Sequence, residues 1–363
     1  MKWVVRGMAT AWTGGIALLA VWVVTPLLGA KAVSPGDTGL LVEPPAPAEF
    51  QRSFEPVPPA GAVGPAAGYR TPGQAEVELA TVPPVEWLPP QWYPASADIL
   101  SIGAMDEEGP RRGPSVRSRS VFVFDVDAGR VLFEKNADAP RPVASITKLV
   151  SALALASATP DLEREFCIGP EQYPTRSGAT SRLSTGDCTT GWDVLGAALV
   201  ASDNRAAMAM AAAADMHLDE FVGRMNRVSI ELGMTRSSWV DPSGLEDENL
   251  STARDLAKAT LAVGAHPLLQ APASAPHWDL WRTNKAWVRR LPSTDRLAER
   301  SDLEVLAAKT GYTDTARYGF STMVQTESGH RLVITLLGAD GKLTRWADVD
   351  RVLAWVEAGA VPG

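Results

Sequence analysis

Three short groups of polar residues could do chemistry together if the fold brings them to one place. They are Ser145-Ile146-Thr147-Lys148, Ser202-Asp203-Asn204 and Lys309-Thr310-Gly311, in that order along the chain. A serine hydroxyl is a weak nucleophile until a base takes its proton, and a lysine is a base only when its amine is largely neutral. Taken alone, each group indicates little more than a solvated lysine, a helix cap or a turn. All three in one chain predict a nucleophilic serine that is served by lysines.

The first group has the spacing that such a base needs. Ser145 precedes an apolar helical run, so we expect it at a helix N-terminus, where the helix dipole favours an anionic oxygen. Lys148 follows three residues later, on the same face of the helix and within reach of the hydroxyl. Burial and the charge of Lys309 would both lower the pKa of Lys148. We therefore predict that Ser145 is the nucleophile and Lys148 its base.

The second group is expected to move a proton and to orient the substrate. Ser202 would bridge Lys148 and Lys309 and pass a proton to the leaving amine. Asn204 would hold an amide of the substrate. Ser202 is therefore a predicted catalytic residue and Asn204 a predicted substrate-binding residue.

The third group is expected to bind the substrate at the start of a strand. Lys309 and Thr310 would hold its terminal carboxylate, and Gly311 would leave room for a peptide to lie alongside as an added β-strand. The backbone N–H groups of Ser145 and Tyr312 form the expected oxyanion hole. The predicted substrate is a peptide that ends in a carboxylate.

Strand patterns lie at both ends of this region, and helical patterns lie between them. Residues 121–126 and 131–133 predict one β-hairpin, and residues 320–326 and 332–337 predict a second. Helical patterns occur at 204–214, at 221–232, after the cap residue Thr252 and at 346–356. The order predicts an α/β (α+β) fold. In it, one antiparallel sheet is formed from both ends of the domain, with flanking helices and an inserted helical subdomain.

Composition and charge exclude several classes of protein. The formal net charge is −8 and no long basic run is present, whereas nucleic-acid binding needs clustered lysine and arginine. We therefore expect no nucleic-acid partner. The four histidines and two cysteines lack the spacing of a zinc site, so we expect no metal. Cys167 and Cys188 form either a disulfide, which would contribute about 3 kcal/mol, or two buried free thiols.

The N-terminal part of the chain indicates export. Lys2 and Arg6 precede an uncharged stretch at residues 7–30, which suits an uncleaved membrane anchor or a signal sequence that is cut near residue 32. Residues 33–115 hold 16 of the 28 prolines, a composition typical of an extended, disordered linker or of a proline-rich docking ligand. We predict a signal or inner-membrane tether at 1–32, a linker at 33–115 and a catalytic domain at 116–363. That domain would act outside the cytoplasm, in the periplasm.

The three polar groups together form the signature of the serine β-lactamase and penicillin-binding enzymes. Further matching stretches are Ser181-Arg182-Leu183, Arg205-Ala206-Ala207, Gly233-Met234-Thr235, Pro242-Ser243-Gly244-Leu245, residues 249–256 and Arg282-Thr283-Asn284. From about residue 118 to 359 the chain thus resembles the low-molecular-mass penicillin-binding proteins, the family of D-alanyl-D-alanine carboxypeptidases and endopeptidases.

The resemblance implies a β-lactamase/DD-peptidase-like fold, a Ser145 acyl-enzyme and no metal or cofactor. It also implies that the substrates are peptidoglycan peptides that end in, or are crosslinked through, D-alanine, and that β-lactams are covalent inhibitors. The chain departs from the family after Lys-Thr-Gly. Where the family commonly shows Ala-Gly and then a cysteine two residues later, this chain has Ala316-Arg317 and Gly319. The cation of Arg317 would change the shape of the loop or attract an acidic substrate.

Several readings of the function stay open at this point. A serine β-lactamase would carry a Glu-x-x-Leu-Asn stretch, and the corresponding region at 239–245 has none. A non-catalytic wall-binding scaffold would keep the fold and lose the reaction. Several matching stretches look most like the endopeptidase branch, so endopeptidase activity is slightly favoured over carboxypeptidase activity, although no motif decides between them.

Overall fold

The computed structural model describes residues 113–172 and 181–360. The predicted export segment at 1–32 and nearly all of the predicted linker at 33–115 lie outside these residues. The strands are β1 Ser120–Asp125, β2 Arg130–Lys135, β3 Arg141–Pro142, β4 Glu165–Cys167, β5 Cys188–Thr190, β6 Leu250–Ser251, β7 His277–Leu280, β8 Arg289–Pro292, β9 Leu303–Thr313, β10 Arg317–Thr326 and β11 Arg331–Ala339. The α-helices are α1 Lys148–Ser157, α2 Gly191–Val200, α3 Asn204–Ala213, α4 Leu218–Glu231, α5 Ala253–Ala265, α6 Gln270–Ser274 and α7 Lys342–Trp355. Short helical turns lie at Ala144–Thr147, Pro170–Gln172 and Val356–Ala360.

Five strands form one antiparallel sheet in the order β2-β1-β11-β10-β9. The first strand pairs with the last, with Ser120 opposite Leu337, so the two ends of the catalytic region close the sheet. Every residue of β1 is buried, which follows from its near-continuous apolar sequence. The predicted fold class, with one sheet built from both ends of the region, is confirmed.

Both faces of the sheet are covered. The face that carries Val121, Val123 and Ile334 packs against α7 through Val349 and Val352. The opposite face packs against α5 and, beyond it, the helices of the inserted subdomain, in one cluster that includes Phe122, Phe124, Val333, Leu256 and Leu153. The strand β9, which carries Lys309, Thr310 and Gly311, therefore belongs to a sheet that is covered on both sides.

Three of the seven α-helices in the described residues begin at side-chain caps that the sequence specifies. Thr190 accepts a hydrogen bond from the N–H of Asp193 at the start of α2, and Thr252 accepts one from Asp255 at the start of α5. Caps of this kind satisfy backbone donors that have no partner inside the helix. The predicted helix after Thr252 is confirmed, and its position is set by the cap.

A disulfide joins Cys167 of β4 to Cys188 of β5. Of the two alternatives for these cysteines, the structure thus shows the bridged one. Within residues 113–172 and 181–360, none of the helices has both the length and the apolar character needed to cross a bilayer.

Candidate active site

Ser145 and Lys148 lie in contact at the junction of a 3₁₀ turn and a helix. Ser145 belongs to the turn Ala144–Thr147, and Lys148 is the first residue of α1. The hydrogen bond between Lys148 Nζ and Ser145 Oγ is 2.8 Å long. The predicted pairing is present, but the serine sits in the tighter turn before the helix. The preceding residue, Ala144, has a φ of +50°, a conformation that few residues other than glycine adopt.

Lys148 is fully buried, and its amine has two further partners. Its Nζ donates to Asn204 Oδ1 at 2.8 Å and to the backbone carbonyl of Ser243 at 2.5 Å. Burial lowers the pKa of Lys148 from 10.5 to about 7, and the charges of Asp241 and Asp203 oppose part of that change. At neutral pH a large fraction of the amine is therefore unprotonated, as a general base requires.

Asp203, the central residue of the second group, ties this motif to the disulfide-bonded loop. Its Oδ1 caps α3 by accepting from the N–H of Ala206 at 3.0 Å. The hydroxyl of Ser181 and the N–H of Arg182 also donate to the Asp203 carboxylate, at 2.6 and 2.5 Å. A fully buried carboxylate with this many donors is a fixed anchor. It holds the residues on either side of it at the edge of the cleft.

Ser202 lines the cleft but does not make the expected bridge. Its φ is +57°, so the backbone turns sharply there. In the described part of the chain, Lys148 bonds to Ser145, Asn204 and Ser243, and Lys309 Nζ donates to the carbonyl of Thr310 at 3.2 Å. The carboxamide oxygen of Asn204 thus takes a place next to Lys148 that the sequence reasoning gave to Ser202.

A tight turn at residues 241–244 aims the Ser243 carbonyl at Lys148. The Asp241 carboxylate accepts hydrogen bonds from the N–H groups of Ser243 and Gly244, which fixes the turn. Gly244 has a φ of +80°, and an added Cβ would lie only 2.0 Å from the carbonyl oxygen of Ala144. Pro242-Ser243-Gly244-Leu245 is one of the stretches that resemble the family, but the sequence alone indicates no role for it. The positive φ and the close approach now explain why glycine is needed there.

Lys309 is buried in the same region. Burial lowers its pKa well below 10.5, and the charges of Lys148 and Arg345 add to the effect, while Asp295 opposes it. The hydroxyl of Thr310 is hydrogen-bonded to that of Thr294 at 2.7 Å. The third group therefore sits beside the first, as the sequence indicated.

Gly311 lies where β9 crosses the turn that carries Ser145. An added Cβ would be 2.7 Å from the carbonyl oxygen of Val143 and 3.0 Å from Cγ1 of Ile146. The missing side chain therefore lets the turn approach the strand, which is a different reason for glycine from the room for a substrate strand that the sequence suggested. Thr310, Gly311 and Tyr312 of β9 also line the cleft, so a substrate has access to this part of the strand whether or not residue 311 is a glycine.

These residues meet in a cleft of about 580 Å³. Its lining includes six of the residues predicted from sequence: Ser145, Ser202, Asn204, Thr310, Gly311 and Tyr312. It also includes residues that the sequence reasoning missed: Arg182, Ser293, Thr294, Arg296, Tyr318, Lys342, Arg345 and Trp346. Four of the missed residues are cations, and the lining formed by the described residues contains no carboxylate. The cleft is therefore suited to an anionic substrate.

Arg345 of α7 is the most enclosed of these cations. It donates to the carbonyl of Gly319 at 2.9 Å, and its guanidinium lies 4.5 Å from the ring centre of Trp346. Burial lowers the pKa of Arg345 to about 10, so it still carries its charge at neutral pH. No local motif marks this arginine, because it reaches the cleft only when the last helix packs on the sheet.

A serine hydroxyl against a buried lysine of lowered pKa is the arrangement expected of a lysine-activated serine enzyme. The sheet with its inserted helical subdomain is the penicillin-binding DD-peptidase fold. Residues 107–341 match the family model described as D-alanyl-D-alanine carboxypeptidase. The chain belongs to this family.

Named relatives support the same class. A D-alanyl-D-alanine endopeptidase of Pseudomonas aeruginosa is 32% identical over 266 residues, which is 73% of this chain and 85% of the relative. One from Escherichia coli is 30% identical over 249 residues, or 68% and 80%. The crystal structure of a D-alanyl-D-alanine carboxypeptidase from Mycobacterium tuberculosis superposes with a TM-score of 0.61 at 25% identity, over 70% of this chain and 96% of that one. The chain is thus a serine-type D-Ala-D-Ala peptidase, as predicted.

Proposed function

We propose that this protein is an endopeptidase that cuts the D-alanine–diaminopimelate crosslinks of peptidoglycan through a Ser145 acyl-enzyme. The observation that carries the chemistry is the 2.8 Å contact between Ser145 Oγ and the buried amine of Lys148. Preference for the crosslink is supported by the two relatives at 30% and 32% identity, both of which are named endopeptidases.

The reaction begins with proton transfer to Lys148. Its neutral amine takes the proton of Ser145, and Oγ attacks the D-alanine carbonyl carbon. The backbone N–H groups of Ser145 and Tyr312 would donate hydrogen bonds to the carbonyl oxygen and stabilise the negative charge that develops on it. As the tetrahedral intermediate collapses, the carbon–nitrogen bond breaks and the leaving amine takes a proton, which Ser202 in the cleft lining would relay. Water then cleaves the ester, with Lys148 again acting as base, and releases Ser145.

The cations of the cleft suit the group that leaves. In a D-alanine–diaminopimelate crosslink, as in a D-alanyl-D-alanine terminus, a carboxylate lies on the carbon next to the scissile amide nitrogen. Thr310 and the charged Arg345 lie in the cleft lining, with Lys309 buried beside them, and would bind that carboxylate. Asn204 would hold the amide on the acyl side. These contacts would bind a crosslink and a D-alanyl-D-alanine terminus equally well. Whether the enzyme acts as an endopeptidase or a carboxypeptidase therefore depends on the size of the leaving group that the cleft admits.

We also propose an extracytoplasmic location, either through a cleaved signal or through a tether at residues 1–32. The Cys167–Cys188 disulfide supports it, because such bonds persist mainly in oxidising compartments. Peptidoglycan as substrate and β-lactams as covalent inhibitors follow from the same Ser145 chemistry. An antibody against the catalytic region should detect the protein in the periplasmic fraction or on the outer side of the inner membrane.

The test is digestion of purified muropeptides. The full chain is incubated with crosslinked dimers and, separately, with monomers that end in D-alanyl-D-alanine. Conversion of dimer to monomer supports an endopeptidase, whereas release of D-alanine without loss of dimer would assign a carboxypeptidase. Ser145→Ala should abolish both reactions and covalent labelling by a fluorescent penicillin. Intact protein that neither labels nor cuts would instead favour a wall-binding scaffold.

A further inference from the structure

An aromatic patch is exposed at the end of the β7–β8 hairpin. Trp281, Trp287 and Val288 are 57%, 54% and 54% exposed. They are three of the eight large apolar side chains that are exposed in residues 113–172 and 181–360, and all three lie in the single connection between β7 and β8. Exposed apolar side chains are common singly, but a cluster of them marks a binding surface. We call these three residues the tryptophan patch.

The backbone beneath the patch is held firmly. The N–H of Trp281 donates to Asp193 Oδ1 at 3.0 Å, and its carbonyl accepts from the hydroxyl of Thr189 at the same distance. Two residues on, the N–H of Thr283 donates to the carbonyl of the disulfide-bonded Cys188 at 2.8 Å. The ring of Trp281 therefore stands open to solvent on a fixed backbone, which reduces the ordering cost of binding a ligand.

Arg282 adds unused polar groups next to the rings. Its side chain is buried, at 5% exposure, and its guanidinium carbon lies 4.1 Å from the ring centre of Trp287. In the described part of the chain its Nε and Nη2 have no hydrogen-bond partner, and Asp187 lies 3.6 Å from Nη1. Buried donors are normally paired, so these two N–H groups point to a ligand with acceptor oxygens. A flat ring beside unpaired donors is an arrangement suited to a sugar, which has an apolar C–H face and a rim of oxygens.

The patch connects to the end of the cleft where the leaving group would lie. β8 runs from the patch to Ser293 and Thr294, which line the cleft, and Thr294 is hydrogen-bonded to Thr310. At about 3.3 Å per residue, the strand from Trp287 to Ser293 spans roughly 20 Å. In a crosslinked substrate the leaving group is a second stem peptide. Three of its residues and the diaminopimelate side chain cover roughly 15–20 Å before the sugar to which the stem is attached.

From this match we propose that the tryptophan patch binds the glycan of the wall strand that carries the leaving stem peptide. The pyranose faces stack on Trp281 and Trp287, and hydroxyl or acetamido oxygens accept hydrogen bonds from Arg282. The exposed Arg289 adds positive charge near the stem carboxylates. This inference rests on the proposed endopeptidase function, because a released D-alanine carries no glycan that could reach the patch.

The experiment compares two substrates that differ only in their sugars. One is a crosslinked muropeptide dimer with its disaccharides, and the other is the same dimer after an amidase has removed them. Trp281→Ala and Trp287→Ala should each lower kcat/KM on the glycosylated dimer about tenfold, mainly through KM, as the loss of one stacked ring predicts. Both should act like the wild type on the sugar-free dimer. The matched control is Ile230→Ala, which removes a 64% exposed apolar side chain from α4 and should change neither rate.

The outcomes separate this inference from the proposed function. Equal losses on both dimers, or no loss on either, would overturn glycan binding, and so would a Trp287→Ala variant that converts a dimeric enzyme to a monomer. A wild type that releases D-alanine but cuts neither dimer refutes the endopeptidase proposal alone. The patch is then tested by retention of the Ser145→Ala chain on purified sacculi. The double variant Ser145→Ala, Trp287→Ala should not be retained on the sacculi, whereas Ser145→Ala, Ile230→Ala should be retained like the parent. Equal retention of the two double variants would overturn the inference. Unchanged penicillin labelling of the Trp287→Ala enzyme confirms that it is folded.

Discussion

In the proposed mechanism, the pKa of Lys148 makes the rate of Ser145 acylation depend on pH in a defined way. Burial lowers that pKa from 10.5 to about 7. At pH 7 about half of the molecules then hold a neutral amine, whereas an unperturbed lysine would be neutral in about one molecule in 3,000. The buried site therefore supplies roughly a thousandfold more active base at neutral pH.

The assay is the second-order rate of labelling by a fluorescent penicillin between pH 5 and pH 9. We expect the rate to fall about tenfold for each pH unit below about 6.5 and to level off above about 8, since the neutral fraction of the amine follows this course. Lys148→Arg should label about a thousandfold more slowly than the wild type at pH 7 and above, because a guanidinium keeps its proton. A midpoint above pH 9, a rate that does not fall in acid, or full labelling by a folded Lys148→Arg enzyme would each refute the reasoning.

The same change in pKa predicts how stability varies with pH. Unfolded Lys148 keeps its proton up to about pH 10.5, and folded Lys148 loses it near pH 7, so between these values the unfolded state binds more protons. The free energy of unfolding should therefore rise as the pH increases from 7 towards 10. Below pH 7 the amine is charged in both states, and burying that charge lowers the free energy of unfolding by about 5 kcal/mol. Chemical denaturation of Lys148→Met should show a smaller slope than the wild type, and the slope that remains includes the contribution of Lys309, whose pKa is also lowered by burial.

Three further predictions concern the frame around the site. Gly311→Ala should slow penicillin labelling at least tenfold and lower the free energy of unfolding by about 1–3 kcal/mol, since the added methyl would displace the turn that carries Ser145. The control is Gly223→Ala, whose Cβ would meet nothing within 4 Å and which should leave labelling unchanged. Equal labelling rates of the two variants would contradict this explanation. Arg317 has a φ of +61°, so Arg317→Gly should stabilise the protein by about 1 kcal/mol in denaturant titrations. Loss of the cation should also weaken cleavage of diaminopimelate-containing peptides, and unchanged kinetics would show that Arg317 has no role in substrate binding. Replacing Cys167 and Cys188 together with serine should lower the unfolding free energy by about 3 kcal/mol and thermal unfolding should occur earlier; an unchanged melting temperature would show that the loop is fixed without the bridge.

Much of the fold was predictable because the signals are local. The two hairpins follow from short apolar runs with a turn between them, and the start of α5 follows from the cap at Thr252. The pairing of β1 with β11 was also expected, since strands at the two ends of a region must find partners. Local pattern and chain order were sufficient for these features.

The site was only partly predictable, because several of its contacts join distant residues through the backbone or through burial. Spacing alone places Lys148 near Ser145. The carbonyl of Ser243 carries no sequence signal of its own, and Arg345 enters the cleft only through the packing of α7. The position of Ser202 depends on a positive φ, which serine rarely adopts and a motif does not report.

The closure of the sheet has a consequence for how the chain acquires its structure during synthesis. Ser118 donates to Asp348 across 230 residues, and β1, which pairs with β2 on one side, pairs with the distant β11 on the other. Contacts of such long range make folding slow, because the entropy of closing the intervening loop is lost before the pairing is gained. The sheet cannot be completed until almost the whole catalytic region has left the ribosome. The nascent enzyme should therefore stay unfolded and inactive until synthesis of the catalytic region is nearly complete.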